Sequence, residues 1–432
     1  MTNAERFRIL LVTAAGLGIS IPADVSGQAR TVTLQEAIDL AVRNNPSVIQ
    51  ARGNIRIAEA GRREYYGQWL PTINGTSSAS TNSSSRFDPT TQRSVSGNST
   101  SYSAGLSASY TIFDGFRRNA NGRTTRANIE AAEATLVTQR FDIILQTKQA
   151  YFNAVAADEL VAVAHARIER AQGQLKIARE KLDAGTAIRS DTLRSFVELG
   201  NARLQELNAV TQRETATANL ARIIGADTPI RVRTGQTVLN VALALDTLSL
   251  RAEALAASPN VQQSEASARA ADADVSSSRA GYFPSLTASY QQNWAGAQVS
   301  NLRNTWSARV SLSWPIFNGF TREMGVTRSS INRDIAYAQL EDARRLVNAQ
   351  FTQFLAALES ARLRIEIATA SRAAGEEDLR VQQERYRLGA STIVDVLTSQ
   401  EGLAQAEVDL VQARLDYQVA RAQLEALLGR EL

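Results

Sequence analysis

Residues 101–116, SYSAGLSASYTIFDGF, return 204 positions later as TWSARVSLSWPIFNGF over residues 305–320. Both stretches alternate with a period of two. Tyr102, Ala104, Leu106, Ala108, Tyr110 and Ile112 share one face, against Ser101, Ser103, Gly105, Ser107, Ser109 and Thr111. Trp306, Ala308, Val310, Leu312, Trp314 and Ile316 share the matching face of the second copy, and Ser307, Arg309, Ser311 and Ser313 the other. About ten alternating residues with aromatic ends is the pattern of a transmembrane β-strand, apolar toward lipid and polar toward a lumen. Arg309 and Ser311 are therefore candidate lumen residues. Leu286, Ala288, Tyr290 and Trp294 supply a third strand, and residues 71–82, with Ile73 their only large apolar residue, a weaker fourth. The Ser-, Thr-, Asn- and Gly-rich segments Thr81–Thr100 and Ala295–Asn304 read as loops at the strand tips.

The duplication extends beyond the strands. TLQEAIDLAVRNNPSV (33–48) corresponds to TLSLRAEALAASPNV (247–261), and Trp69-Leu70-Pro71 to Tyr282-Phe283-Pro284, at an offset of 213. After the strands the offset is 204, with Gly185 matching Gly389 and Ile224-Gly225 matching Leu428-Gly429. A period this long means two large copies of one unit rather than a solenoid. The chain divides into a first repeat over 30–225, a linker over 226–246 and a second repeat over 247–432.

Proline marks out the rest of each copy. None occurs between Pro89 and Pro229 or after Pro315, and both stretches are rich in strong helix formers. Ala164, Ile168, Ala171, Leu175, Ala178 and Leu182 recur at spacings of four and three. So do Leu403, Ala406, Leu410, Ala413, Tyr417, Ala420, Leu424 and Leu427, the seam of a left-handed coiled coil. Each copy reads as helix, β-hairpin, long helix, turn, helix. The hairpins span 71–113 and 284–317, the helical hairpins 116–225 and 320–428. In the first copy the helices cover 33–69, 116–183 and 190–225. At ~1.5 Å per residue the long helix reaches roughly 100 Å and each short one about 50–55 Å. Asp183-Ala184-Gly185 and Arg387-Leu388-Gly389 are the turns, each ending a helix on glycine.

Composition narrows the function. Arg6 and Arg8 precede the apolar run Ile9–Ile21 and a small-residue stretch at Ser26–Ala29, the layout of a secretory signal peptide over residues 1–29. With no cysteine, no disulfide framework exists. One histidine and no cysteine argue against a soft metal site. The net charge of +4 comes from alternating signs without basic runs, unlike a nucleic-acid surface. No phosphate loop or nucleophile–base set is present, so neither an enzyme nor a cofactor is expected. Alternating strands also suit a soluble sheet with one wet face, in which case the chain is a periplasmic coiled-coil scaffold. Two hairpins in an exported chain favour a membrane barrel, and four strands cannot close one alone, because lipid forbids an open edge. Two chains supply eight strands and three supply twelve.

In this setting the chain resembles the TolC-like outer-membrane efflux channels over residues 31–432. The resemblance rests on the duplicated plan, Asn45-Pro46, the two helix-to-strand prolines and Pro315-Ile316-Phe317-Asn318-Gly319. Tyr386-Arg387-Leu388-Gly389 followed by Ile393-Val394-Asp395-Val396-Leu397 adds to it. It implies a mainly α homotrimer with a shared twelve-stranded barrel in the outer membrane and an α-helical tunnel across the periplasm. It also implies a passive duct serving an inner-membrane pump through a periplasmic adaptor, for small toxic molecules or, alternatively, for secreted proteins. Asp395 matches an acidic ring at the periplasmic entrance, and Tyr386 and Asp191 a pair that holds it closed. Gly185 and Gly389 lie where the adaptor makes contact. Two positions depart from the pattern: Thr398 replaces a second acidic residue, and Ser391 a locking arginine. Asp395 also suits a helix start, and Asp191 a cap following Ser190.

Overall fold

The computed structural model describes residues 30–90, 92–233 and 246–432. The expected signal peptide, 1–29, and the linker positions 234–245 lie outside the described residues. The first repeat runs β1 (Arg30–Val32), α1 (Leu34–Asn44), α2 (Pro46–Gly67), β2 (Thr72–Asp88), β3 (Arg93–Phe113), α3 (Arg117–Asp183) and α4 (Arg189–Ile224). Strand β4 (Ile230–Val232) follows. The second repeat runs α5 (Thr247–Ala257), α6 (Pro259–Arg279), β5 (Ser285–Gly296), β6 (Arg303–Ser313), α7 (Thr321–Arg387) and α8 (Ile393–Leu428). Helices α3 and α7 are each 67 residues long, and α4 and α8 are each 36.

The single first helix expected over 33–69 is in fact two helices. Pro46 has no N–H to donate and holds the residue before it extended, so Asn45 (ψ 130°) ends α1 and caps α2 by accepting from the Ser47 N–H at 3.0 Å. Ser258 (ψ 127°) and Pro259 break the second copy in the same way.

The four long strands form one antiparallel sheet in the order β2-β3-β5-β6. Its register sorts the side chains cleanly. Tyr110, Ala288 and Val310 fall in one row, and Ala108, Tyr290 and Ala308 in the next, on the apolar face. Thr72, Ser109, Ser289 and Arg309 share a row on the polar face. The apolar face stands open, with Val310 66% and Leu312 68% exposed. The expected loop Thr81–Thr100 is instead strand for most of its length: β2 and β3 pair without interruption from Thr72↔Ser109 to Asp88↔Arg93. With 17 and 21 residues they run well beyond the 9–11 that a tilted strand needs to cross a bilayer. The strands of the second hairpin, with 12 and 11 residues, are close to that length.

Gly115 (φ 71°) and Phe116 (φ 66°), and likewise Gly319 (φ 66°) and Phe320 (φ 65°), make a left-handed corner between sheet and long helix in each repeat. Below it the helices pack lengthwise, α3 against α4, α2, α6 and α8, and α7 against α8 and α6. One core joins α5, α6, α7 and α8 around Val347, Phe351, Tyr417 and Leu424; another joins α1, α3 and α4 around Ala37, Phe152 and Ile224. The short parallel pair β1–β4, Val32 against Val232, closes the second core. The α3–α8 seam carries charge as well: Lys148–Glu425 at 2.6 Å, both buried, and Arg170–Glu407 at 2.7 Å. Arg167 binds both Glu198 of α4 and Glu401 of α8. Among the described residues no helix is long and apolar enough to cross a membrane.

Candidate gate and channel-lining residues

At the end of the body remote from the sheet, α3 turns into α4 and α7 into α8. Both long helices end in the same Schellman turn. Gly185 (φ 72°) donates to the Leu182 carbonyl at 2.9 Å and Thr186 to Lys181 at 2.8 Å; Gly389 (φ 77°) donates to Tyr386 at 3.1 Å and Ala390 to Arg385 at 2.7 Å. A Cβ at either glycine would meet nothing within 4 Å, so both turns are open at the tip. Glycine is required there for its backbone, not for space.

The start of the return helix differs between the copies. In α8, Thr392 is the N-cap and Asp395 the third helical residue. The Asp395 carboxylate accepts from the Thr392 N–H and hydroxyl, each at 2.8 Å, while the Thr392 Oγ1 accepts from the Asp395 N–H at 3.3 Å. This capping box satisfies orphan donors reciprocally. The Thr392 bonds, backbone first, hold the Asp395 carboxyl below the usual carboxylate range, and the nearby Arg385 charge adds to this. Asp395 therefore has a helix-start role. In α4 the N-cap is Ile188, which has no side chain able to accept, and Asp191 is the third helical residue rather than the cap. Its carboxylate is left for another partner.

Near it lies Tyr386, 3% exposed in a cluster with Leu379, Ile393, Val396 and Leu403. Burial raises the Tyr386 hydroxyl above its ordinary pKa, and the neighbouring Asp191 charge raises it further. The hydroxyl faces Asp191 without closing a bond of normal geometry, and its oxygen is buried. Of the residues named from sequence, Tyr386 and Asp191 are thus brought together, Asp395 sits close by at the next turn, and Gly185 and Gly389 flank them. Arg309 and Ser311 lie at the opposite end, on the polar face of β6 opposite Ser289 and Thr287.

Sequence reading missed Lys181. Its ammonium donates to the Tyr386 carbonyl and, at 3.5 Å, to that of Arg387, and stands 4.4 Å from the Tyr386 ring centroid. It closes the open carbonyl end of α7 with a cation. Its partners lie more than 200 residues away, so no local pattern reveals it. Ser391 donates to the Gln382 carbonyl at 3.2 Å, a bond back to the last turns of α7.

The outer membrane efflux protein family model matches residues 37–226 and 250–430, one segment for each repeat. The outer membrane efflux protein BepC of Brucella suis biovar 1 is 27% identical over 426 residues, covering 94% of this chain and 87% of its own. The pyoverdine export outer membrane protein OpmQ of Pseudomonas aeruginosa is 27% identical over 419 residues, covering 92% and 83%. Among solved structures, the open state of the Neisseria gonorrhoeae MtrE outer membrane channel superposes with a TM-score of 0.77 at 22% identity, over 92% of this chain and 89% of that one. With both repeats matched and the two-hairpin, long-helix architecture shared, the chain belongs to the outer membrane efflux protein family.

Proposed function

We propose that three copies of this outer-membrane efflux protein close into one duct, which a periplasmic adaptor joins to an inner-membrane pump. The duct exports small molecules and catalyses nothing itself. The observation that carries this reading is an asymmetry between the repeats. Gly115 of the first repeat is backed by the second, where an added Cβ would stand 2.6 Å from the Ala280 carbonyl and 2.7 Å from Phe283; the equivalent Gly319 has open space. Helix α3 has α8 beside it, whereas the equivalent faces of α7 and α4 leave Leu363 50% and Val197 61% exposed. What the first repeat finds within the chain, the second must find in another chain. That is a head-to-tail interface, which forms a ring when its rotation closes.

The number of chains follows from the barrel. Eight strands enclose a space that side chains fill, which leaves no duct. Twelve strands at ~4.8 Å spacing and ~40° tilt give a barrel roughly 25 Å across. The outward apolar face meets lipid, and the helices, about 100 Å long, reach across the periplasm. At their tips Asp191 and Tyr386 hold the entrance closed, three Asp395 carboxylates draw in cations, and the open turns at Gly185 and Gly389 receive the adaptor. The arrangement supports this reading because Asp191, released from capping, is the one first-turn carboxylate at the tip aimed at a neighbouring helix.

Mass measurement of the detergent-extracted complex tests assembly, with a trimer expected; a water-soluble monomer or a dimer ends the barrel reading. In planar bilayers Tyr386→Phe, which keeps the ring and removes the group facing Asp191, raises single-channel conductance. Asp395→Ala lowers cation preference. Wild-type behaviour in both variants removes these residues from the gate while leaving the duct intact.

A further inference from the structure

The strands of the sheet carry four arginines against a single carboxylate. Between Asp274 and Glu323 the chain has no carboxylate, and between residues 72 and 113 it has only Asp88. The same strand segments contain Arg86, Arg93, Arg303 and Arg309. Register places Arg303 opposite Ala295, and Arg309 opposite Ser289 in the row of Ser109 and Thr72, both on the polar face. Every other polar-face residue of β5 and β6 is Ser, Thr, Asn, Gln or Ala. Among the described residues neither arginine has a carboxylate within salt-bridge distance, whereas the arginines at the base of the sheet do, Arg118 with Asp114 at 3.2 Å and Arg322 with Glu323 at 2.5 Å. The lumen arginines are thus left uncompensated where their neighbours are paired.

We propose that Arg309 and Arg303 form two cationic rings inside the barrel that bind anionic groups, carboxylate, sulfate or phosphate, in its outer section. The inference rests on the trimeric duct described above. Six residues separate the rings, ~20 Å along the strand. That exceeds the ~8 Å Debye length at physiological salt, so each ring acts as a separate set of three charges. Hydroxyl and amide neighbours accept from a guanidinium without cancelling its charge, and the guanidinium fork suits carboxylate, sulfate and phosphate groups. A low-dielectric wall focuses the field of such a ring into the lumen and raises the local concentration of counter-ions. The duct is then polarised along its axis, with carboxylates at the helical tip and guanidinium groups at the sheet.

The test uses the full-length trimer in planar bilayers and sucrose octasulfate, a permanently charged polyanion, added from the sheet side. The expected result is a block of current, with Arg309→Ser raising the half-blocking concentration by about tenfold. Arg303→Ser should raise it by less, and the double variant should be insensitive. Arg309→Lys, which keeps the charge, should keep the block, and if Arg309→Ser does not assemble, Arg303→Ser and Arg309→Lys carry the test. Conducting channels that the probe does not block from the sheet side, or a double variant blocked like the wild type, overturn the rings and leave the duct standing. A protein that forms no channel at all overturns the duct itself.

Discussion

The turns at Gly185 and Gly389 occupy equivalent places in the two repeats and end their long helices with the same bonds, yet they dispose of equivalent aspartates differently. Asp395 is held by Thr392 in a capping box. Asp191, at the same step in the first repeat, follows Ile188, which offers it no side-chain cap, and stands instead near Tyr386 on α7. One residue at the cap position decides whether a first-turn carboxylate stays within its own helix or acts on another. Duplicated sequence therefore does not mean duplicated chemistry: the first copy gives up helix-start stability, and in exchange the tip gains a contact between repeats.

The comparison breaks most readily at Tyr386. Truncating this buried ring in Tyr386→Ala should cost ~3–5 kcal/mol of local stability, against distinctly less for its half-buried equivalent Leu182 in Leu182→Ala. Hydrogen exchange across the two turns reads the difference, and equal losses would mean that the second turn is not the specialised one. A smaller effect is expected from giving the first copy the missing cap. Ile188→Thr should steady the start of α4 by about 1 kcal/mol and draw Asp191 into a box of its own. It should therefore open the channel as Tyr386→Phe does, and thermal melting together with conductance separates the two consequences. If melting rises and conductance does not, Asp191 has no part in closure.

The smallest effect is that of acid. Because the folded Asp395 carboxyl lies below the ordinary carboxylate value, its contribution is present in full above that value and is lost as pH falls through the depressed one. Exchange of the first-turn amides of α8 should accelerate below about pH 4, while α4, which starts without a box, should change less over the same range.

The helical body was legible because proline is absent from two long stretches and large residues alternate with alanine at spacings of three and four. The break at Asn45-Pro46 was legible in principle, since a residue before proline is driven out of the helical region; it was hidden by the regular pattern on either side. The outer part of the first hairpin was not legible. Ser83, Ser84, Asn98 and Ser99 have the composition of a loop, and strands bathed by water on both faces lose the alternation that identifies a strand. Cross-strand bonds such as Ser80 to Ser101 at 2.8 Å hold this region, and they depend on pairing that composition does not encode. At the tip the two glycine turns fall where the sequence placed them. The engagement of Asp395 by Thr392 was legible in principle, since Thr392-Ile393-Val394-Asp395 has the spacing of a capping box. The sequence could not show Lys181 at all, whose partners come from the other repeat.

The parallel pair of Arg30–Val32 with Ile230–Val232 bears on the order in which the chain acquires its shape. The paired residues lie 200 positions apart. Closing a loop of that length costs about 5 kcal/mol of chain entropy, far more than three ladder positions return by themselves. The pair must wait until α1, α3 and α4 have docked and offer Val32 the buried slot beside Tyr151 and Ile224. Among the contacts of the first repeat it is thus one of the latest to form, as expected for a pairing of such high sequence separation. Residues 30–32 should therefore stay open to proteases until that repeat is complete, and a protease pulse during refolding would time its closure by their protection.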